Sequence, residues 1–365
     1  MIKLAKPNIP EEAFEKVIEV LKSGNLVQGK YVEEFEKKLA AYNGVKHAVV
    51  VSSGTAALHL SLLALGIKEG DEVIVPAFTF PATANVVEAV GARPVFVDIN
   101  LSDFCIDTNK IEEVISKNTK AIIPVHEFGQ AAKMDDIVRI AEQYSLKLIE
   151  DAACALGTEF ENQKVGTFGE LGCFSFHPRK AITTGEGGAV VTKHDSLANK
   201  VVALRNHGIE ISKKKMNFRY AGLNYRMTDF QAAIGIPQLA TLELLIRKRC
   251  ELAEDYDKVL APINWVKVPK RFPERKAAYQ TYHILTGADC SRDALAHFLN
   301  QHGIQSNFGA QALHRMSFFK EKYKYVPGDF RNSSIAYEHG LALPMGDHLC
   351  RRDIEEIGRV LKSFP

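Results

Sequence analysis

From about residue 45 to residue 195, apolar runs rich in β-branched residues alternate with stretches of helical spacing, and no other feature restricts the fold as strongly. Ala48 to Val51, Glu72 to Val75, Pro94 to Ile99, Ala121 to Val125, Lys147 to Glu150, Gly172 to Phe176 and Gly188 to Thr192 each read as strands. Most of these runs are unbroken rather than alternating, the pattern of strands covered by helices on both faces. Between them, Thr55 to Leu65 and Met134 to Tyr144 carry helical spacing. Alternation of this kind predicts an α/β fold around a large, mostly parallel sheet. Ligands in such sheets bind beyond the carboxyl ends of the strands, so the residues just past each run are the first to read for chemistry.

The pattern changes at Asp229, where long helical spacing runs through Leu242 and Leu252 to Leu260, with Pro237 expected to kink or delay the helix near its start. Beyond Pro262 a short strand (Thr281 to Leu285) mixes with helices (Ser291 to Gln301, Arg352 to Ser363), which suits a smaller α+β unit. A chain of 365 residues is long enough for two domains. The expected division is a large α/β domain over residues 1–240 and a small C-terminal α+β domain over 241–365, entered by a long helix. The N-terminal segment is a candidate to pack on the small domain.

Composition excludes several classes. Lysine plus arginine minus aspartate plus glutamate is 46 − 44 = +2, too small a balance for a protein that coats nucleic acid. The basic run Lys213-Lys214-Lys215 reads as a solvated loop. Cys105, Cys154, Cys173, Cys250, Cys290 and Cys350 form no CxxC pair, so neither a disulfide framework nor a structural zinc site is expected, and a reducing cytoplasm suits them. Met1 to Pro7 lacks the apolar stretch of a signal peptide, and no apolar run approaches the roughly 18 to 20 residues that span a bilayer. The expectation is a cytoplasmic protein with no membrane, nucleic-acid or metal partner. The phosphate loop GxxxxGK[ST], HExxH, GxSxG and a GxGxxG after a strand are all missing.

Two strand ends carry complementary groups. Leu148-Ile149-Glu150 delivers Asp151, and Cys173 to Phe176 leads through His177-Pro178-Arg179 to Lys180, followed by the glycine-bearing Gly185-Glu186-Gly187-Gly188. A lysine near an acid at strand ends is what an enzyme using pyridoxal 5′-phosphate (PLP) requires. The amine makes a Schiff base, and the carboxylate keeps the pyridine nitrogen protonated so that the ring accepts electrons. A lone lysine is ordinarily a solvated surface residue, so the surrounding groups decide. Ser52-Ser53-Gly54-Thr55-Ala56 follows a strand and opens a helix; it is either a phosphate cradle of backbone N–H groups and hydroxyls or a plainly capped helix start. Ser175 either adds a hydroxyl to the same phosphate or bonds to backbone. Phe80, just past a strand, either stacks on the pyridine ring or packs in the core.

These segments resemble the DegT/DnrJ/EryC1/StrS family of PLP-dependent sugar aminotransferases, which have the aspartate-aminotransferase fold (fold type I). The resemblance covers most of the chain. It includes Ser53 to Leu58, Phe78 to Asn85, Pro124-Val125-His126, Gly129-Gln130, Glu150 to Ala153, Ser175 to Lys180, Gly185 to Gly188, Arg205 to Gly208 and Asn224 to Asp229. It implies Lys180 as the Schiff-base lysine and Asp151 as the acid on the pyridine nitrogen. Gly54, Thr55, the Ala56 amide and Ser175 are implied at the phosphate, and Phe80 over the ring. Asn224 matches an asparagine that reaches the phosphate from the neighbouring subunit, which implies a homodimer with shared active sites. Two departures stand out. Cys154 occupies a position where the family often has glutamine or histidine near the cofactor's phenolic oxygen, and Ala131-Ala132-Lys133 replaces a common Pro-Ala-Asp.

The resemblance further implies L-glutamate as donor, a ping-pong course through the pyridoxamine form, and a nucleotide-linked keto-deoxysugar aminated at C3 or C4. Lys180, once displaced by the donor, is expected to shuttle protons as general base and acid, with burial near cationic groups lowering its pKa. Arg205, His207, Arg226, His314 and Arg315 are candidate contacts for carboxylates or diphosphates, against ordinary ion pairing. A keto-cyclitol or another phosphorylated ketone remains open as acceptor. A PLP-dependent sugar dehydratase is disfavoured by Lys180, because that branch carries histidine there. A regulator using the same fold needs a DNA-binding module, for which residues 1–45 are too few and insufficiently basic.

Overall fold

The β-branched runs pair edge to edge in the order His47–Val51, Gly188–Thr192, Leu171–Ser175, Lys147–Asp151, Thr119–Ile122, Glu72–Pro76 and Arg93–Val97. The structure, a computed structural model, describes residues 1–212, 215–326 and 328–365. All pairings from Leu171–Ser175 to Arg93–Val97 are parallel, and Gly188–Thr192 alone runs against both of its neighbours. The expected mostly parallel sheet is therefore present, with one reversed strand. Successive side chains on a strand face opposite ways. Val50, Ile74, Ala189 and Val191 accordingly join one buried cluster, while Val49, Val51, Val73, Val75 and Val190 join a second on the other face. Two apolar faces explain why the runs are unbroken.

Two strands stop short of their apolar runs. Arg93–Val97 ends before Ile99, which makes a single bridge to Ile106, and Thr119–Ile122 ends before Val125, which bridges Asp151. Pro124 has no N–H to give a neighbouring strand, so regular pairing lapses there. The lapse frees residues 125–129 to turn beside Asp151.

The helical pattern from Asp229 also differs from expectation. It forms two helices, Asp229–Ala240 and Leu242–Leu260, separated at Thr241. Pro237 lies inside the first helix without kinking its start, because a capping box between Thr228 and Gln231 holds that end. The proline leaves the Ala233 carbonyl without its helical donor, and the helix stops within a turn.

Beyond residue 241, the strands Val266–Lys267, Tyr282–Thr286 and Gly340–Leu343 form a small antiparallel sheet. It packs with Leu242–Leu260 and Arg351–Lys362 around Tyr256, Tyr282, Ile284, Leu343 and Ile357. Tyr256 and Tyr282 stack with centroids 4.4 Å apart. The N-terminus joins this part of the chain: the Ile2 N–H donates to the Gly303 carbonyl and the Met345 N–H to the Leu4 carbonyl. Of the basic run, Lys213 and Lys214 lie outside the described residues. Lys215 opens the strand Lys215–Phe218 rather than lying in a loop. All six cysteines are free. No helix among the described residues is long and apolar enough to cross a membrane.

Candidate active site

The parallel pairing of Lys147–Asp151 with Leu171–Ser175, in which Asp151 lies opposite Cys173, brings two carboxyl ends side by side. Asp151 is the last residue of its strand, and Lys180 sits in the turn after the other, where its N–H donates to the His177 carbonyl at 2.8 Å. Both face a cavity of about 520 Å³, whose lining also includes Gly54, Thr55, Phe80 and Ser175. That volume lies in the usual range of small-molecule sites. A larger and more open hollow, about 660 Å³, lies at the amino end of Lys147–Asp151, where Lys147 pairs with Glu170. It holds no comparable convergence of reactive groups.

Asp151 is buried. It accepts from the Thr83 hydroxyl at 2.8 Å on one oxygen and from the Ala153 N–H at 3.1 Å on the other. Burial pushes its carboxyl above the ordinary range, against the pull of Thr83, Ala153 and Lys180. The Lys180 stem is half-buried and its amine is enclosed, donating to the Cys154 sulfur at 3.0 Å. The expected lowering of the Lys180 pKa is not found. Burial alone would lower it, but the Cys154 sulfur, Asp151 and Glu127 together outweigh burial and hold the amine above its ordinary value. Its charged neighbours are acids rather than cations. Cys154, left without a role at the sequence level, thus touches the lysine directly, and burial pushes its thiol up.

At the other end of the cavity the helix Gly54–Leu65 begins. Ser53 caps it, its hydroxyl accepting from the Ala56 N–H at 3.1 Å, so the Ala56 amide expected at a phosphate is engaged by the cap. The first turn still presents backbone N–H groups beside the Thr55 and Ser175 hydroxyls. Gly54 is required by close approach: a Cβ there would lie 2.8 Å from the Ser175 Cβ. Phe80 is 68% exposed, unusual for a phenylalanine and suited to a ring face it could cover.

Not every expected residue converges. Asn224 is exposed and off this chain's cavity, bridging to Asn206. Arg205 is spent inside the protein on Glu36 and the Val50 carbonyl. Arg315 pairs with Glu338, Arg226 bonds the Asn206 side chain, and buried His314 bonds Ser334. His207 takes a left-handed φ of 55°. Two residues were passed over. Glu150, fully buried, accepts from the N–H groups of Gly166, Phe168 and Gly169 and from His126 Nε2, while His126 Nδ1 accepts from Ala132. The replaced segment at Ala131-Ala132 therefore supports His126. Glu127 lines the cavity; its only sequence signal is an acid in the short segment just past a strand.

The donor set fits PLP. An amine is present for the aldehyde carbon, a hydrogen-bonded acid for the ring nitrogen, an exposed aromatic for the ring face, and a glycine-started helix with two hydroxyls for the phosphate.

The sequence profile of the DegT/DnrJ/EryC1/StrS aminotransferase family matches residues 7–362. The chain is 35% identical to a GDP-perosamine synthase of Vibrio cholerae, over 100% of this chain and 99% of that protein. It is 37% identical to a UDP-4-amino-4,6-dideoxy-N-acetyl-beta-L-altrosamine transaminase of Campylobacter jejuni, over 100% and 97%. Among solved structures, Helicobacter pylori PseC, an aminotransferase involved in the biosynthesis of pseudoaminic acid, superposes with a TM-score of 0.94 at 30% identity, covering 100% of both chains. The PLP form of the Streptococcus pneumoniae putative sugar aminotransferase Spr1654 gives 0.93 at 27% identity, covering 99% and 98%. The chain is a PLP-dependent aminotransferase and belongs to the DegT/DnrJ/EryC1/StrS family.

Proposed function

We propose that this enzyme moves an amino group from L-glutamate to C3 or C4 of a nucleotide-linked keto-deoxysugar. The observation that carries the reading is the meeting of the Lys180 amine and the Asp151 carboxyl on one cavity that also offers a helix N-terminus and an exposed phenylalanine. The relatives named for GDP- and UDP-linked amino sugars support the acceptor class.

In this reading the residues divide the work among them. The bound PLP ring supplies a sink for the electron pair released at the donor's α-carbon. Lys180 would anchor the cofactor, and its amine, once freed, would carry the proton from the donor's α-carbon to the cofactor's C4′. Asp151, fixed by Thr83 and Ala153, holds the pyridine nitrogen protonated. Phe80 covers the ring face and excludes water. Gly54, Thr55 and Ser175 would hold the phosphate, joined by the Ala56 amide once it leaves the Ser53 hydroxyl, so the ring keeps its orientation through both half-reactions. The same groups then act in the reverse order on the ketone. The reading includes a homodimer in which Asn224 of each chain reaches the other's cavity; its exposure off its own cavity supports this. It also divides the chain at residue 240, supported by the helix break at Thr241. Six free cysteines suit a cytoplasmic setting.

The test is a panel of GDP- and UDP-linked keto-deoxysugars with L-glutamate, following 2-oxoglutarate release. Release with at least one of them is expected. Release only with a keto-cyclitol or a small phosphorylated ketone would overturn the acceptor assignment.

A further inference from the structure

Glu127 lines the cavity, and the function proposed above gives it no task. It opens the turn Glu127–Gly129, just past the bridge between Val125 and Asp151, and the preceding His126 N–H donates to the Asp151 carbonyl at 3.0 Å. Its side chain is buried at 4% exposure, and Oε2 has no hydrogen-bond partner. The Thr79 hydroxyl lies against the carboxyl. Thr79 and Thr83 oxygens are 3.5 Å apart, and Thr83 donates to Asp151, so hydroxyls link the two acids. The next residue, Phe128, has a left-handed φ of 57°. Such a backbone costs a bulky side chain on the order of 1 kcal/mol or more. It is held by stacking on His283 at 4.2 Å and by Phe104. The strain thus sits where it fixes the direction of Glu127.

The titratable groups facing Glu127 are Asp151 at the end of its strand, Cys154 in the following turn, Lys180 from the neighbouring turn, and Cys105. An ionised carboxylate with a bare buried oxygen is costly, so it either finds a donor or takes a proton. Burial pushes the Glu127 carboxyl up to about 7, with Thr79 and Lys180 pulling it down and Asp151 pushing it up. The Lys180 nitrogen is the neighbour whose charge changes when the amine is used covalently.

We propose that Glu127 is the proton-balancing residue of the cavity, giving up its proton more readily while the Lys180 nitrogen bears a free positive charge and holding it when that charge is withdrawn. The proton comes from solvent and returns to it, and no bond to carbon changes. The proposal rests on the function proposed above, because it takes Lys180 as the nitrogen whose charge comes and goes.

The test uses the full chain labelled with ¹³C at the glutamate side-chain carboxyls, titrated by NMR over about pH 5 to 9. One glutamate is expected with a midpoint near 7. That titration disappears in Glu127→Gln. Its midpoint rises by about a unit or more in Lys180→Ala and on adding PLP to the unsubstituted protein, and falls comparably in Asp151→Asn. If Glu127→Gln does not fold, the opposite shifts in the other two variants still identify the residue. No glutamate titrating above about pH 5.5, or a midpoint indifferent to Lys180→Ala, overturns the proposal. Bound PLP without these shifts sinks this proposal alone. Shifts present in Lys180→Ala and Asp151→Asn in a protein that takes up no PLP support the proton balance and sink the functional reading instead.

Discussion

Replacing Glu150 with glutamine, a side chain of equal size, should destabilise the protein far more than a single polar exchange normally does. Glu150 precedes Asp151 on the same strand and accepts four hydrogen bonds. Oε2 takes the Gly166 N–H at 2.7 Å and His126 Nε2 at 3.0 Å, and Oε1 takes the N–H groups of Phe168 at 2.7 Å and Gly169 at 2.9 Å. The Ala132 N–H donates to His126 Nδ1, so the ring proton lies on Nε2 and points at the carboxylate. A glutamine NH₂ only donates. Whichever oxygen it replaces, two donors lose their acceptor and confront another N–H, the buried Gly166 and His126 on one side or the half-buried Phe168 and Gly169 on the other. At about 1–3 kcal/mol for each buried group left unpaired, the loss is about 2–6 kcal/mol. Typical total stabilities are about 5–15 kcal/mol, so this is a large fraction. Urea unfolding of the full chain should show a lower midpoint at an unchanged slope. A loss below about 1 kcal/mol would refute the four-bond carboxylate.

Asp151→Ala should lower turnover on the order of a thousandfold, about 4 kcal/mol of transition-state stabilisation, while the protein still folds. Near-normal single-turnover rates would place the pyridine partner elsewhere. His283 supplies a pH dependence. Its ring is buried between Phe128 and Phe104 with neither nitrogen bonded, and burial, helped by Arg292, pushes its pKa down to about 3. The unfolded chain therefore binds that proton first. Stability is full above the unfolded pKa of about 6.5 and is lost as pH falls toward the folded value, by about 2 kcal/mol at pH 5. His283→Phe should flatten that part of the slope in urea midpoints compared at about pH 7 and pH 5; an unchanged slope would show that the ring is not buried neutral.

The sheet was legible because its strands bury two faces, which left runs such as Val49-Val50-Val51 unbroken in the sequence. Strand direction was not legible: nothing local distinguishes reversed Gly188–Thr192 from its parallel neighbours. Pro237 was expected to kink or delay one long helix at its start; the Thr228–Gln231 capping box that holds that start is set by side-chain geometry, and the proline acts instead downstream, where the helix ends before Thr241. Lys180 and Asp151 were legible from their places past apolar runs, and the structure puts both on one cavity. The charge around Lys180 was not, since it depends on Glu127 and Cys154 arriving from separate turns. Arg205 shows the converse: a cation near recognisable motifs, spent on Glu36 far away in the chain.

The most direct measurement is to bind PLP to the purified protein, reduce it with borohydride and map the modified peptide by mass spectrometry. The account predicts the cofactor's mass on Lys180 alone and no label in Lys180→Ala. A label on any other lysine, or undiminished labelling of the Lys180→Ala protein, would contradict it.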